Sequence, residues 1–201
     1  AEFRCGIGTG EGDLDDVSGI AFHPTEGVFL LIEDNAALLS RWSEEKGLVK
    51  QTVFDDDAED VEDVCVSDKG IFIISSNGCL YTDKGLWSDA LLPQDEDFEG
   101  LAHRDGRLLA LSKRSAAIYE VDITTKNVLR IIHISVQEIQ RVLQCDEELV
   151  FNPSGLAISP SGKYVYVIAT RGQLLIVLDS AMQRIVCAAH LPRDPFVQPE
   201  G

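Results

Sequence analysis

A short motif that recurs along the chain constrains its fold more than any other feature. In each copy an acidic or polar loop leads into a turn that contains Ser, Glu or Gly, and a run of apolar residues follows directly. The copies begin near residues 16, 60, 97 and 152, and a fifth begins near residue 198. The starts are roughly 37 to 55 residues apart, which is the range of β-propeller blades.

Each complete repeat also carries the signals of several short strands. Apolar runs such as 28–32, 71–75 and 108–111 are bounded by turns rich in Gly, Asp, Asn and Ser. This pattern is typical of strands joined by hairpins, and four antiparallel strands make one propeller blade. The sequence therefore predicts an all-β chain that forms a single β-propeller domain, with four four-stranded blades and the start of a fifth.

One segment departs from the strand pattern and predicts a helix. Residues 135–149 lie between the third and fourth repeats, and Val136 and Ile139 in this segment are at helical spacing. Ser135 and Glu138 form the S-x-x-E signature of a capping box at a helix N-terminus. We therefore expect a one-helix insertion at 135–149, between blades 3 and 4.

The charge of the chain is strongly negative and unevenly placed. The 201 residues include 34 Asp and Glu against 17 Lys and Arg, which gives a net charge of −17. Such a chain lacks the basic face that nucleic acids and anionic membrane surfaces require, and no apolar run reaches the length of about 18 residues that a membrane helix needs. Most acidic runs fall in loops that enter the first strand of a repeat, and a propeller gathers these loops at one mouth of its channel. We therefore expect cations or basic groups as partners.

Carboxylates at equivalent repeat positions predict a cation site at this mouth. Pseudo-symmetry brings these positions together around the axis, where carboxylates repel one another unless a cation or a proton neutralises them. Oxygen ligands of this kind suit Ca²⁺ or Mg²⁺. The predicted metal ligands are Glu62, Glu99, Glu200 and Asp34, and further predicted ligand-binding residues are Ser18, Asn35, Asn77, Asn152 and Ser154. The alternative is that each glutamate only caps its own turn.

Three basic residues are expected near the same mouth. Lys113, Arg114 and Arg171 follow second strands, so their loops should rise on the acidic face. One interpretation is a pocket for an anionic ligand group. The other is ion pairing with the neighbouring carboxylates, which contributes little to stability when the pair is exposed.

The order of the repeat starts resembles that of the SdiA-regulated β-propeller family. The segments that carry the resemblance are Ser-Gly-Ile-Ala at 18–21, Phe-Glu-Gly-Leu-Ala at 98–102, Pro-Ser-Gly-Leu-Ala at 153–157 and Gln-Pro-Glu-Gly at 198–201. The resemblance implies a five-bladed ring, similar to NHL, calcium-dependent lactonase and esterase-like phytase propellers, and a protein exported to the periplasm, the cell exterior or an organelle lumen. It also implies that this chain is incomplete at its C-terminus, where the fifth blade should begin. The second repeat departs from the family pattern, since Asp63 stands where the family has glycine.

No familiar catalytic motif accompanies this architecture. The sequence contains no Gly-x-Ser-x-Gly elbow, no His-Glu-x-x-His and no P-loop. The leading hypothesis is a non-catalytic propeller that binds divalent cations and acts as an interaction module. The alternatives are a metal-dependent hydrolase of the lactonase, esterase or phosphoesterase type, using carboxylates at the channel mouth, and a structural subunit of a larger assembly.

Overall fold

The chain folds as four antiparallel β-sheets, and the computed structural model describes residues 17–33 and 36–192. Blade 1 comprises β1 (Val17–His23), β2 (Val28–Glu33), β3 (Ala36–Ser43) and β4 (Gly47–Val53). Blade 2 comprises β5 (Val61–Ser67), β6 (Gly70–Ser75), β7 (Leu80–Thr82) and β8 (Gly85–Ser88). Blade 3 comprises β9 (Phe98–Arg104), β10 (Arg107–Ser112), β11 (Ala117–Asp122) and β12 (Asn127–His133). Blade 4 comprises β13 (Asn152–Ile158), β14 (Tyr164–Arg171), β15 (Leu174–Asp179) and β16 (Ile185–His190).

The four sheets are arranged as the blades of a β-propeller. In every blade the strands lie side by side in chain order, so that each blade is an antiparallel meander. The first strand of each blade is the inner strand, and successive inner strands contact one another: β1 contacts β5, β5 contacts β9, and β9 contacts β13. The predicted fold class of four-stranded propeller blades is therefore confirmed.

Turn chemistry explains why neighbouring strands are joined by tight hairpins. Asp105 and Gly106 stand between β9 and β10, with φ values of 52° and 73°. A two-residue turn that matches the twist of a hairpin needs left-handed backbone at both positions, which Gly, Asn and Asp adopt most readily. The turn places Arg104 and Arg107 opposite each other across the hairpin.

In the described part of the chain, the hydrophobic core is divided into three layers, one between each pair of successive blades. Successive side chains of a strand point to opposite faces of its sheet. Leu108 and Ala110 of β10 consequently pack toward blade 2, whereas Leu109 and Leu111 pack toward blade 4. Blades 2 and 3 are therefore buried on both faces, and the second strands of these blades, β6 and β10, consist largely of apolar residues.

The outward face of blade 1 carries an exposed aromatic row. Phe22 is 54% exposed and Phe29 is 37% exposed, and the ring centroid of Phe29 lies 5.4 Å from that of Phe22 and 6.0 Å from that of Trp42. Within residues 17–33 and 36–192, no buried cluster joins blade 4 to blade 1. The fifth repeat start, at residues 198–201, lies outside the described residues, so a fifth blade stays a prediction.

The predicted helix is present but shorter than the sequence indicates. Helix α1 spans Val136–Leu143 and not 135–149. Its end is formed by Gln144, whose left-handed backbone (φ 55°) directs its N–H group to the carbonyl of Gln140. Three acidic residues follow within four positions, and negative charge at a helix C-terminus opposes the helix dipole, which explains why the helix stops there. None of the described helices is long and apolar enough to span a membrane.

Only half of the expected capping box at the start of α1 is formed. The Ser135 hydroxyl accepts a hydrogen bond of 3.2 Å from the backbone N–H of Glu138, as a capping box requires. The carboxylate of Glu138 instead accepts a 3.2 Å hydrogen bond from the N–H of Ile185 on β16. The glutamate therefore attaches the helix to the outer strand of blade 4, while Ile139 is buried in the layer between blades 3 and 4.

Candidate functional site

Two aspartates shape the loops that lead into the inner strands of blades 2 and 3. Asp60 precedes β5 with φ 55°, and Asp97 precedes β9 with φ 57°. Aspartate tolerates this left-handed backbone better than most residues do. The carbonyl oxygen of Asp60 accepts a hydrogen bond of 2.8 Å from the N–H of Ser76, and that of Asp97 accepts one of 2.8 Å from the N–H of Lys113. The same local structure therefore leads into both inner strands.

This local structure creates an acidic group at the end of the propeller where the chain enters the inner strands. Glu62 and Glu99 are the second residues of β5 and β9, and we use the term acidic mouth for these two glutamates together with Asp97. The side chain of Lys113 reaches back to them, with its Nζ 2.5 Å from Oε1 of Glu99 and 3.9 Å from Oδ2 of Asp97. The Glu99 side chain is only 12% exposed, and a carboxylate this shielded from water needs a nearby positive charge.

The charges of the acidic mouth also act on Lys113. Burial by itself would lower the pKa of Lys113, because an ammonium group loses hydration. The hydrogen bond and charge of Glu99, assisted by the charges of Asp97 and Glu62, outweigh this effect and leave the pKa of Lys113 raised. Lys113 is therefore protonated at neutral pH, and the mouth contains a cation that belongs to the protein itself.

Glu96, next to the acidic mouth, is bound within its own blade. The Ser112 hydroxyl lies 2.6 Å from both the main-chain carbonyl oxygen and Oε2 of Glu96, so it is shared between these two acceptors. Burial would raise the pKa of Glu96, but hydrogen bonds from Ser112, Ser115 and Tyr119 and the charge of Arg114 leave it lowered. This network holds the loop that leads into blade 3 against β10 and β11.

A fully buried carboxyl group, that of Asp63, directly follows Glu62 of the acidic mouth in the chain. Asp63 on β5 is 2% exposed, and its two oxygens accept main-chain hydrogen bonds of 2.7 Å from Val64 and from Leu101 on β9. Burial raises the pKa of Asp63 to about 8, although these two hydrogen bonds act in the lowering direction. Gly19 of β1 approaches so closely that a Cβ atom there would lie 2.6 Å from the Cα atom of Asp63. Asp63 therefore stands among the inner strands of three blades.

Asn77, a predicted ligand-binding residue, uses its side-chain oxygen inside its own turn. Its Oδ1 atom accepts hydrogen bonds of 2.7 Å from the Ser75 hydroxyl and 3.0 Å from the N–H of Cys79. These contacts close the loop between β6 and β7, so the oxygen is engaged in a structural role in this conformation.

The other described ligand-binding candidates share one end of the propeller. Ser18, Asn152 and Ser154 lie at the beginnings of inner strands β1 and β13, whereas Arg114 and Arg171 lie after or at the end of second strands β10 and β14. Antiparallel topology brings these positions to the same end of the blades. The two arginines are exposed and Ser154 is buried.

The predicted metal site is described only in part. Asp34, Asn35 and Glu200 lie outside the described residues. Within the described ranges, no group of three or more His, Cys, Asp or Glu side chains is arranged so that it could hold a metal ion. Of the four predicted metal ligands this leaves Glu62 and Glu99, and the Ca²⁺ or Mg²⁺ site therefore stays a prediction.

The fold and the acidic mouth define a β-propeller with a negatively charged channel end. No family model matches the sequence, and no curated protein matches it. Among solved structures, the glutaminyl cyclase of Myxococcus xanthus is similar, with a TM-score of 0.61 over 86% of this chain and 69% of that chain. At 14% sequence identity, this likeness establishes a common β-propeller fold and no more. The resemblance to the SdiA-regulated family still depends on the repeat motifs alone.

Proposed function

We propose that this protein is a non-catalytic binding β-propeller whose acidic mouth takes up divalent cations, with Ca²⁺ preferred. The observation that carries the proposal is the 2.5 Å contact between Nζ of Lys113 and Oε1 of Glu99. The Glu99 carboxylate is shielded from water and holds a positive charge closely. This supports a site in which the carboxylates of the acidic mouth require a cation to balance their charge.

Lys113 is suited to give way to another cation. Its side chain is 35% exposed, and a lysine ammonium on a four-carbon stem can swing into solvent with little rearrangement. The Glu99 oxygen that the ammonium had held could then coordinate Ca²⁺, which takes oxygen ligands. Glu62 and the predicted ligands Asp34 and Glu200 would complete the set. We therefore propose that Ca²⁺ and the Lys113 ammonium compete for the same carboxylates.

The choice of Ca²⁺ over Mg²⁺ follows from coordination chemistry. Ca²⁺ accepts an irregular set of about six to eight oxygens, whereas Mg²⁺ requires near-octahedral geometry and gives up its water reluctantly. Calcium sites of extracellular modules bind with dissociation constants of about 10⁻⁴ to 10⁻³ M. We propose that the acidic mouth binds Ca²⁺ in this range and, further, that the protein works outside the cytoplasm.

Replacing Lys113 by glutamine tests the competition directly. Lys113→Gln is expected to bind Ca²⁺ about tenfold more tightly than the wild type, because a unit positive charge about 4 Å away opposes a second cation by at least 1 kcal/mol. Isothermal titration calorimetry with CaCl₂ and MgCl₂ at low ionic strength measures this difference. Glu99→Gln is expected to abolish the binding in either background.

Lys69→Gln is the matched control for this experiment. Lys69 is 59% exposed in the turn between β5 and β6, at the end of blade 2 away from the acidic mouth, and its replacement changes the net charge equally. It should bind Ca²⁺ as the wild type does. If neither the wild type nor Lys113→Gln takes up Ca²⁺ at millimolar concentration, or if Lys69→Gln gains as much affinity as Lys113→Gln, the proposed site is wrong.

A metal-dependent hydrolase is the second candidate, because the fold is shared with an enzyme, the Myxococcus glutaminyl cyclase. A screen of lactones, aryl esters and phosphoesters, with and without Ca²⁺, separates the two candidates, and a glutaminyl cyclase assay can be added to it. Turnover that requires Ca²⁺ and is lost in Glu99→Gln would favour the hydrolase. Calcium binding without turnover of any of these substrates would favour the binding module.

A further inference from the structure

At the end of blade 3 away from the acidic mouth, every strand contributes a charged residue to a row, and β11 contributes Asp122 in addition. We call this the charged row; it consists of Arg104 on β9, Arg107 on β10, Glu120 and Asp122 on β11 and Arg130 on β12. By strand alternation these residues share the face of blade 3 that packs on blade 4, whose apolar members include Ala102, Leu109, Ile118 and Ile132. The charged row is therefore the polar edge of the interface between blades 3 and 4.

Glu120 fixes two of the three arginines of the charged row. Its side chain is 1% exposed, and its two oxygens form ion pairs with Arg107 and Arg130, one oxygen to each. Burial would raise the pKa of Glu120, but the hydrogen bonds and charges of the two arginines leave it lowered. The Arg107 and Arg130 side chains remain 48% and 38% exposed. Since a guanidinium has five N–H donors, each arginine is held in place by Glu120 and still has donors to offer.

Within residues 17–33 and 36–192, Arg104 forms no ion pair of this kind. It stands directly opposite Arg107 across the β9–β10 hairpin, and like charges in that position destabilise a sheet. Among the described residues, its Nη1 atom is buried and has no hydrogen-bond partner. A buried donor on a charged group without an acceptor costs more than about 1 kcal/mol, so this position favours an acceptor with negative charge.

A groove of about 330 Å³ opens at this point between blades 3 and 4. Arg104, Arg107 and Glu120 line it from blade 3, while Gly162 and Ser180 line it from two turns of blade 4. This volume is at the lower end of the range for small-molecule sites, and it is large enough for one tetrahedral or planar anionic group.

The charge around the groove is balanced, unlike that of the chain as a whole. The three guanidiniums of the charged row stand against three carboxylates: Glu120, Asp105, which lines the groove, and Asp122, which lies opposite Arg107. In a chain with a net charge of −17, a neutral point of this kind repels an anion less than an acidic surface would.

We propose that this groove is an oxyanion site, which takes the phosphate or carboxylate group of a small ligand. The Arg104 guanidinium donates to one oxygen of the anion, and the donors of Arg107 that Glu120 does not use bind another. A guanidinium matches either kind of oxyanion because its parallel N–H groups face two oxygens at once. The site lies at the end of blade 3 opposite the acidic mouth, so it is independent of the proposed cation site.

Titration with inorganic phosphate and with acetate, at an ionic strength kept constant with NaCl, tests the proposal on the full chain. The wild type should bind one anion saturably, and Arg104→Gln should weaken the binding about tenfold or more. Arg141→Gln removes the same charge from an exposed side chain of α1 (71% exposed) and should leave the binding unchanged. Tighter binding of phosphate than of acetate assigns the site to phosphate groups, and the reverse order assigns it to carboxylates.

Asp105→Asn gives an independent test that does not remove a donor. Asparagine tolerates the left-handed backbone of position 105 (φ 52°) as well as aspartate does, so the hairpin should be preserved. Loss of this negative charge should strengthen anion binding about threefold. The proposal is overturned if the wild type shows no saturable binding, if Arg104→Gln binds as well as the wild type, or if Asp105→Asn weakens the binding.

Discussion

Replacing Asp63 by asparagine is expected to remove a large pH dependence of stability between about pH 5 and pH 8. In the folded protein the pKa of Asp63 is about 8 because the carboxyl group is buried, whereas in an unfolded chain it is near 3.9. Over this interval the folded state keeps a proton that the unfolded state releases. The free energy of unfolding therefore falls as the pH rises, by about 1.4 kcal/mol per pH unit, until the folded-state pKa is passed.

Urea denaturation of the wild type and Asp63→Asn at pH 5, 6, 7 and 8 measures this effect. Asparagine adds a constant cost, because its NH₂ group faces one of the two main-chain N–H donors, from Val64 or Leu101. The readout is therefore how the difference in unfolding free energy between variant and wild type changes with pH. Between pH 5 and pH 8, the free energy of unfolding of Asp63→Asn should rise by about 4 kcal/mol relative to that of the wild type. Asp56→Asn is the control, at an exposed position of the loop before β5. Its free energy of unfolding should change with pH in the same way as that of the wild type. A difference between Asp63→Asn and wild type that is the same at all four pH values would show that the carboxyl group is ionised throughout.

Phe98→Ala is expected to be the most destabilising single truncation in the layer between blades 2 and 3. Phe98 is fully buried, and its ring lies 5.3 Å from that of Tyr119 in an edge-on arrangement. On its other side it packs so tightly against Gly78 that a Cβ there would lie 3.0 Å from the ring. Because neither neighbour can fill the space, we expect a loss of about 3–5 kcal/mol, which corresponds to a decrease in Tm of roughly 10 °C.

Phe22→Ala is the matched control for Phe98→Ala. It removes the same side chain from the exposed face of blade 1, where Phe22 is 54% exposed, and should cost about 1 kcal/mol or less. Thermal and urea unfolding of both variants measure the two losses. Equal losses for the two variants would contradict the assignment of the core to the layers between blades.

Much of the fold was predictable because its signals are local. Strand alternation and hairpin residues such as Asp105 and Gly106 repeat in each blade, and the four inner strands begin within one residue of the repeat starts or at them. Where the local signal is weak, individual strands were harder to predict. Strand β8 has only four residues, Gly85–Ser88, and no apolar run to mark it. The helix was predicted too long, since its apolar residues at helical spacing end at Leu143 and the backbone conformation of Gln144 ends it there.

The candidate site was predictable only where it depends on the repeat. Glu62 and Glu99 occupy equivalent positions because the same motif leads into β5 and β9. The repeat motif did not predict the pairing of Lys113 with Glu99. This pairing depends on how the loop after β10 lies beside the inner strand β9. Asp63 did leave a signal, as the one repeat position where aspartate replaces glycine, but the repeat pattern predicted no role for this residue. Its burial between β1 and β9 explains the unusual pKa.

The sequence by itself determined the architecture: the number of described blades, their strand order, and the end of the propeller at which acidic residues collect. These properties follow from short-range patterns, because side-chain alternation and turn residues act over a few positions. The tertiary structure alone decided which charges meet. Lys113 neutralises Glu99, and Glu120 holds Arg107 and Arg130 while Arg104 is left with a buried donor. Such partners come from different strands and loops, and only the packing of the blades determines their distances and their exclusion from water.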